Sequence, residues 1–355
     1  MIFILFSALW GALLSLLLCA PYGYYPLFLI MLAVSIAVYI ASKKFFKIKP
    51  KFMYFTSAIA FAACYILCTY TIFKPADFHY ADTSNTVKGK KAVIFYCEGE
   101  MEKYTPYYAN CFFKDIPLIL KPFYAVNTKR IYREIGVNAK NKELINTALE
   151  VKNSLLNNNP YYFYICFDSY TPDIRDSIVS AISDGCGSIT FINYSAKQDL
   201  KNEVSKKINI EYLNSKGIDV KFCDSVYNTE IFNKYIVSEI INMPFLWDGI
   251  LLIDEETPTS LKIKSELMGY GYKNHQISIS QDITLTMDKF KSNGAVNILY
   301  VNLREAGSGI NAEVLTPKKI EKYSSAMKIN GIKSWGYDKK LVKAAIDTFL
   351  DTENK

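Results

Sequence analysis

Apolar residues form three unbroken runs at the start of the chain and short, spaced runs after them. Met1–Ala20, Tyr22–Ala41 and Phe52–Phe73 carry no charged side chain, and no acidic residue precedes Asp77. Each run is about 20 residues long, the length a helix needs to cross a hydrocarbon core of about 30 Å. Three N-terminal transmembrane helices are therefore expected, within a membrane domain of residues 1–75.

The pattern changes after Lys74. Residues 76–91 are polar and aperiodic, as in a linker. From Ala92 onward, short apolar runs alternate with stretches whose apolar residues recur every three or four positions. Strands are predicted at Ala92–Cys97, Tyr161–Phe167, Ser188–Asn193 and Val220–Phe222, and helices at Lys142–Leu156, Asp173–Asp184 and Leu200–Ser215. The alternation then restarts with strands at Gly249–Asp254, Gln276–Ser280 and Asn297–Leu303. Helices are predicted at Leu261–Gly269, Asp282–Asn293 and Lys339–Leu350. Strand–helix alternation implies parallel sheets with right-handed crossovers. The predicted fold class is α/β, with two Rossmann-like lobes of parallel sheet at residues 92–240 and 241–355. Ligands of such sheets bind beyond the carboxyl ends of the strands.

Charge refines this picture. The net charge is +7, but residues 1–75 hold six lysines and no acid, which leaves +1 for the remainder. A nearly neutral domain lacks the electrostatic footprint of a nucleic-acid binder. Five lysines lie in Ser42–Lys51, between the second and third runs. The positive-inside bias puts that loop in the cytoplasm and the domain after Phe73 outside the cell membrane. Lys74, Lys88, Lys90 and Lys91 on the far side weaken the bias and leave a cytoplasmic domain open. The cysteines outside the apolar runs (Cys97, Cys111, Cys166, Cys186, Cys223) are spread singly with no C-x-x-C, so zinc-type ligand spacing is absent and buried free thiols are expected. Gly307-Ser-Gly309 has no following Gly-Lys-Ser/Thr, which argues against a nucleotide site. Ser195 and Ser308 have no plausible histidine partner for a hydrolase triad.

Three segments at the strand exits carry a resemblance. They are Tyr132-Arg-Glu-Ile-Gly136, Asp168-Ser-Tyr-Thr-Pro172 followed by Ile174, Asp176 and Val179, and Asn311-Ala-Glu-Val-Leu315. In order and spacing over residues 91–350 they resemble ferrochelatase, the enzyme that inserts ferrous iron into protoporphyrin. The resemblance implies a chelatase fold around a porphyrin cleft, with a histidine and a glutamate facing each other as metal ligand or proton acceptor. Glu313 is the counterpart of that glutamate. The histidine position falls on Asn193 or Tyr194, neither of which replaces imidazole. The family's Tyr-Gly-Thr-Pro loop reads Cys97-Glu-Gly-Glu100. Its Ala-His-Ser-Leu-Pro segment reads Asp254-Glu-Glu-Thr-Pro258, with Glu255 in the histidine's place.

The residues implied for catalysis are Glu313 and Tyr194, and those for a divalent metal such as iron are Glu313 and Glu255. Tyr96, Tyr104, Tyr108, Arg130 and Asn193 are the candidates for holding a porphyrin, the tyrosines as an aromatic lip and Arg130 as a partner for propionates. Acids at the exits (Glu98, Glu100, Glu102, Asp254, Glu255, Glu256, Glu313) are either an oxygen-ligand rim or ordinary solvated caps. Three functions stay open: a membrane-anchored, ferrochelatase-like protein with a diverged centre that binds a tetrapyrrole or metal, an active chelatase with a histidine-free site, and a membrane scaffold.

Overall fold

The computed structural model describes residues 2–20, 25–45, 50–74, 87–113, 116–156 and 160–354. They divide into two compact units: Met1–Asp77 with Lys103–Gly136, and Phe78–Glu102 with Val137–Lys355. Residues 103–136, expected in the first α/β lobe, thus fold with the apolar helices.

The first unit holds helices α1 (Ile2–Cys19), α2 (Tyr25–Phe45), α3 (Pro50–Phe73), α4 (Pro106–Ala109) and α5 (Lys121–Ile135). The structure trims the expectation of three spans. Among the described residues one segment, Tyr54–Phe73, is a helix long and apolar enough to cross a membrane, and the other apolar helical segments, Phe3–Cys19 and Phe28–Ile40, are shorter. Helix α1 ends at Cys19, two positions before a proline in the sequence, and Ser42-Lys43-Lys44 ends the apolar part of α2. Residues 46–49 of the lysine-rich loop lie outside the described residues. Helices α1 and α3 pack together, with a Ser15–Thr69 hydroxyl pair at 2.8 Å between them. Polar side chains tie the later segment to these helices. The Tyr65 hydroxyl donates to the Ile119 carbonyl at 2.8 Å, and the Lys129 ammonium donates to the Leu17 and Ala20 carbonyls at 3.3 and 3.1 Å. A cation at a helix C-terminus meets the negative end of its dipole.

The second unit is the α/β part. Strands β1 (Val87–Cys97), β2 (Tyr162–Phe167), β3 (Cys186–Tyr194) and β4 (Asp219–Ser225) form one sheet in the order β2-β1-β3-β4. Strands β5 (Gly249–Ile253), β6 (Ile277–Ile279), β7 (Asn297–Asn302) and β8 (Lys328–Ile332) form the other in the order β6-β5-β7-β8. Every pairing is parallel, as the alternation predicts, and both sheets follow one topology. The connecting helices are α6 (Lys140–Leu156), α7 (Ile174–Ser183), α8 (Leu200–Ser205), α9 (Ile210–Ser215), α10 (Glu230–Ile241), α11 (Pro258–Gly269), α12 (Ile283–Ser292), α13 (Thr316–Glu321) and α14 (Lys339–Glu353).

Several elements depart from expectation. The predicted helix Leu200–Ser215 is two helices, because the Asn209 side chain accepts the Tyr212 N–H at 3.0 Å and caps a fresh start. Strand β8 and helices α4, α5, α10 and α13 are additional. The lobe division at residue 240 also shifts, because α14 crosses back to pack on β3, β4 and α6 of the first sheet. Its Phe349 meets Tyr161 edge-on at 5.4 Å between centroids. One continuous apolar core results, running from Val93, Phe95 and Tyr194 through Trp335 and Phe349 to Ile250 and Leu299.

Candidate functional site

In each sheet the chain first builds outward to one edge and then returns to the other side, so the switch points fall between β1 and β3 and between β5 and β7. The crevice beyond the strand ends at such a switch is where open parallel sheets hold ligands. Beyond β1 and β3 lie Glu98 and Lys197. Beyond β5 and β7 lie Glu255 and Arg304.

At the first switch point Asp168, from the end of β2, accepts from the Lys197 ammonium at 2.7 Å and from the Lys207 ammonium at 3.0 Å. Burial would raise its carboxyl, but the two ammonium groups outweigh burial and hold it well below the usual range. Lys197 also donates to the Tyr96 hydroxyl at 3.2 Å. Burial, with Asp168 second, pushes the Tyr96 phenol upward, so Tyr96 stays a neutral hydroxyl. Asn193 shapes the loop that presents Lys197: its Nδ2 donates to the Lys197 carbonyl at 2.7 Å, and its Oδ1 accepts from Ser195 at 2.7 Å. Glu98 stands apart. It is half-buried and has no hydrogen-bond or ion-pair partner among the described residues. Burial raises its carboxyl more than the nearby Lys140 and Lys197 lower it.

Beside this group the two sheets are clasped. The Lys140 ammonium donates to Glu100 Oε1 at 3.0 Å, from the exit of β1, and to Glu305 Oε2 at 2.8 Å, from the exit of β7. Burial alone would depress Lys140, but Glu305, Glu100 and Glu98 outweigh it and raise it. Gly307-Ser-Gly309 completes the clasp as an anion cradle filled by the protein's own carboxylates. Ser308 N–H donates to Glu143 at 2.8 Å, and Ile310 N–H donates to Glu100 at 2.9 Å. A Cβ at Gly309 would overlap the Glu100 carboxylate, which is why glycine is needed there. A second bridge joins the sheets where Tyr227, after β4, donates to Asp254 at the end of β5, with Thr257 donating to the same carboxylate at 3.0 Å.

No family model matches the chain, and no curated protein matches it in sequence. Solved structures do match. The fold is similar to sirohydrochlorin chelatase SirB from Bacillus subtilis subspecies spizizenii in complex with cobalt, at TM-score 0.49 and 11% identity over 75% of this chain and 96% of that one. It is similar to SirB from Bacillus subtilis with Fe3+ at TM-score 0.47 and 11% identity, over 74% and 95%. A multi-domain Deinococcus radiodurans protein, described as structurally similar to chelatases, matches at TM-score 0.41 and 8% identity, over 73% and 54%.

The residues singled out in the sequence scatter over the molecule. Tyr96 and Asn193 lie at the first switch point. Tyr194 is fully buried in the common core, 5.2 Å from the Phe95 ring and 5.9 Å from that of Trp335. Glu255 is exposed and accepts from Arg304 at 3.0 Å and from Gln281 at 2.8 Å. Glu313, in the wide helical turn Asn311–Leu315, accepts from Lys333 at 2.6 Å. Both carboxylates offered for a metal are thus neutralised by a cation, and among the described residues no group of three or more His, Cys, Asp or Glu side chains is placed to hold a metal ion. Tyr104, Tyr108 and Arg130 belong to the first unit. There the Tyr104 ring lies 6.0 Å from the Lys129 ammonium, Tyr108 meets Tyr107 edge-on at 5.0 Å, and Arg130 is exposed on α5. Lys140, Lys197 and Glu305 escaped the sequence reading. A lysine opening a helix and a glutamate in a strand-exit loop are ordinary surface residues until the fold buries them.

Proposed function

We propose that residues 87–354 contain a chelatase-like domain that binds a tetrapyrrole at the exits of its first sheet, with a centre diverged from metal insertion. Glu98 carries this reading: a half-buried carboxyl at a topological switch point with no partner of its own among the described residues. The inner N–H groups of a free-base macrocycle need an acceptor once they leave water, and an unengaged carboxylate supplies one. The ferrochelatase-like order of Asp168–Pro172 and Asn311–Leu315 supports the same ligand class. Divergence is supported by the ion pairs of Glu313 with Lys333 and of Glu255 with Arg304, which a metal ion arriving as substrate would have to break.

Helix Tyr54–Phe73 supports anchoring in a lipid bilayer. The lysines of residues 42–51 favour an extracytoplasmic domain, and a reporter fused at Lys355 reads that sidedness directly. Full-length protein in detergent, titrated with protoporphyrin, coproporphyrin and haem, tests the ligand. A saturable absorbance change at micromolar ligand is expected, with affinity for protoporphyrin falling at least about tenfold in Glu98→Leu. No change with any of the three overturns the assignment. A metal-insertion assay with ferrous iron, zinc and cobalt tests the divergence, and turnover abolished by Glu313→Ala would restore the catalytic reading.

A further inference from the structure

The second sheet is charged unevenly from one end to the other. Beyond the carboxyl ends of its strands lie Asp254, Glu255, Asp282 and Glu305. At the amino ends the chain enters through residues 242–248, 270–276, 293–296 and 322–327, and in these four connections Asp248 is the single acid. Its carboxylate is engaged by the Val296 and Asn297 N–H groups, at 2.9 and 2.8 Å. Lys273 and Lys322 lie in the connections, Lys291 in the last turn of α12, and Lys328 opens β8; all four are exposed. Glu266 and Glu321 stand further back, in the last turns of α11 and α13.

Apolar side chains share this end with the lysines. Leu246 is 88% exposed, the highest value of any large apolar side chain among the described residues. The loop that carries it is pinned from behind. Trp247 is buried in the core, the Phe245 ring meets it edge-on at 5.9 Å between centroids, and Gln276 Nε2 donates to the Trp247 carbonyl at 3.4 Å. Exposed Val296 is tied to the same place: its N–H meets Asp248, and its carbonyl accepts the Lys328 N–H at 2.7 Å. The Lys328 ammonium lies 3.8 Å from the centroid of the half-exposed Phe245 ring. A leucine left in water adds nothing to folding, and an apolar patch rimmed by polar groups marks an interaction surface.

We propose that this end of the second sheet docks on a bilayer surface bearing anionic headgroups. Leu246 and Phe245 enter the acyl boundary, and the lysines meet lipid phosphates. The charge favours lipid over protein: lysine is depleted from protein–protein interfaces, whereas its long stem lies along apolar surface while the ammonium stays among headgroups. The inference rests on the anchoring proposed for helix Tyr54–Phe73, which keeps the domain beside a bilayer at high effective concentration, so a shallow contact suffices.

The test uses full-length protein in phosphatidylcholine vesicles with and without phosphatidylglycerol, each prepared with ordinary and with brominated acyl chains, which quench tryptophan on contact. With phosphatidylglycerol, Leu246→Trp is expected to be quenched more than the native chain. That excess should fall at least about twofold without the anionic lipid, as an electrostatic contribution requires. Tyr337→Trp, exposed after β8 at the opposite end of the sheet, is expected to show no excess. Lys273→Glu with Lys328→Glu, placed in the Leu246→Trp background, should remove most of it. No excess with phosphatidylglycerol overturns the proposal, as does an excess indifferent to the anionic lipid and to both glutamates. Concentration-dependent association in detergent that Leu246→Ser abolishes, without excess quenching, overturns it in favour of a second copy of this chain. Flotation of the native protein after an alkaline carbonate wash reads the anchor by itself, so a failed anchor and a failed docking are told apart. Leu246 and both lysines are exposed, so these variants are expected to keep the fold.

Discussion

Replacing Lys140 by methionine keeps the apolar stem of the side chain and removes the ammonium group with its charge and its donors. The ammonium is 3% exposed, and the two carboxylates it bridges, Glu100 and Glu305, are each 8% exposed. Without it, two acids face each other in a medium that solvates neither. Removing one partner of a buried ion pair costs about 3–5 kcal/mol. An independent bound agrees: keeping one glutamate protonated at pH 7, against an ordinary value of about 4.3, costs about 3.7 kcal/mol at 1.36 kcal/mol per pH unit. Either figure is a large share of a typical folding stability of about 5–15 kcal/mol. Urea unfolding followed by the fluorescence of the buried Trp247 and Trp335 measures it.

The pH dependence gives the sharper check. In the native protein burial would raise Glu100, but Lys140 and the Ile310 N–H outweigh it and hold its carboxyl below the usual range. Its stabilisation is therefore complete above the unfolded value of about 4.3 and is lost as pH falls through the folded value. In the variant burial acts on Glu100 unopposed by Lys140 and raises its carboxyl, so the folded form gains stability as pH falls from 7 toward about 4.5. The gap between the two proteins should narrow by more than half over that interval, and Glu100→Gln placed in the Lys140→Met background should recover part of the loss. A gap below about 1 kcal/mol at pH 7, or one that does not change with pH, refutes the clasp.

Three further outcomes are expected. Asp168→Asn should cost about 1.5–3 kcal/mol at pH 7 through loss of charge-assisted bonds to Lys197 and Lys207. Because the Asp168 carboxyl is depressed, that cost should be full above about pH 4 and fade in stronger acid, as denaturant titration at several pH values would read. Gly331→Ala should destabilise by about 1–3 kcal/mol in thermal unfolding, because a Cβ there overlaps the Tyr300 ring. Leu67→Lys, within the apolar stretch Tyr54–Phe73, should add about 2.5–3.5 kcal/mol to the cost of membrane insertion and move the chain toward the soluble fraction.

The central strands were legible in the sequence because they are buried on both faces. Ile250, Leu251 and Leu252 form an apolar run bounded by Gly249 and Asp254, and Val93, Ile94 and Phe95 do the same after Lys91. Strand β8 was illegible because it is half-exposed: Lys328-Ile-Asn-Gly-Ile332 contains one lysine, one asparagine and a glycine that exists to admit Tyr300. The start of β1 looked like linker because Val87-Lys-Gly-Lys-Lys91 precedes the buried part of the strand. Site chemistry was harder to see than fold. Glu313 stood out through its motif, yet its carboxylate turns to Lys333 of its own lobe. The pairing of Lys140 with Glu305 spans 165 positions, and no local pattern announces it.

Helix α14 has a consequence for how this protein is made. Its Phe349 and Glu353 complete the surface of the first sheet, where Glu353 meets Thr190 and Lys91. A ribosome therefore releases the strands of that sheet long before their covering exists. Strands β3 and β4 stay without this covering until residues 339–353 emerge. Any nonsense codon or protease that removes α14 leaves β3 and β4 without the helix packed on them, however intact the chain before it.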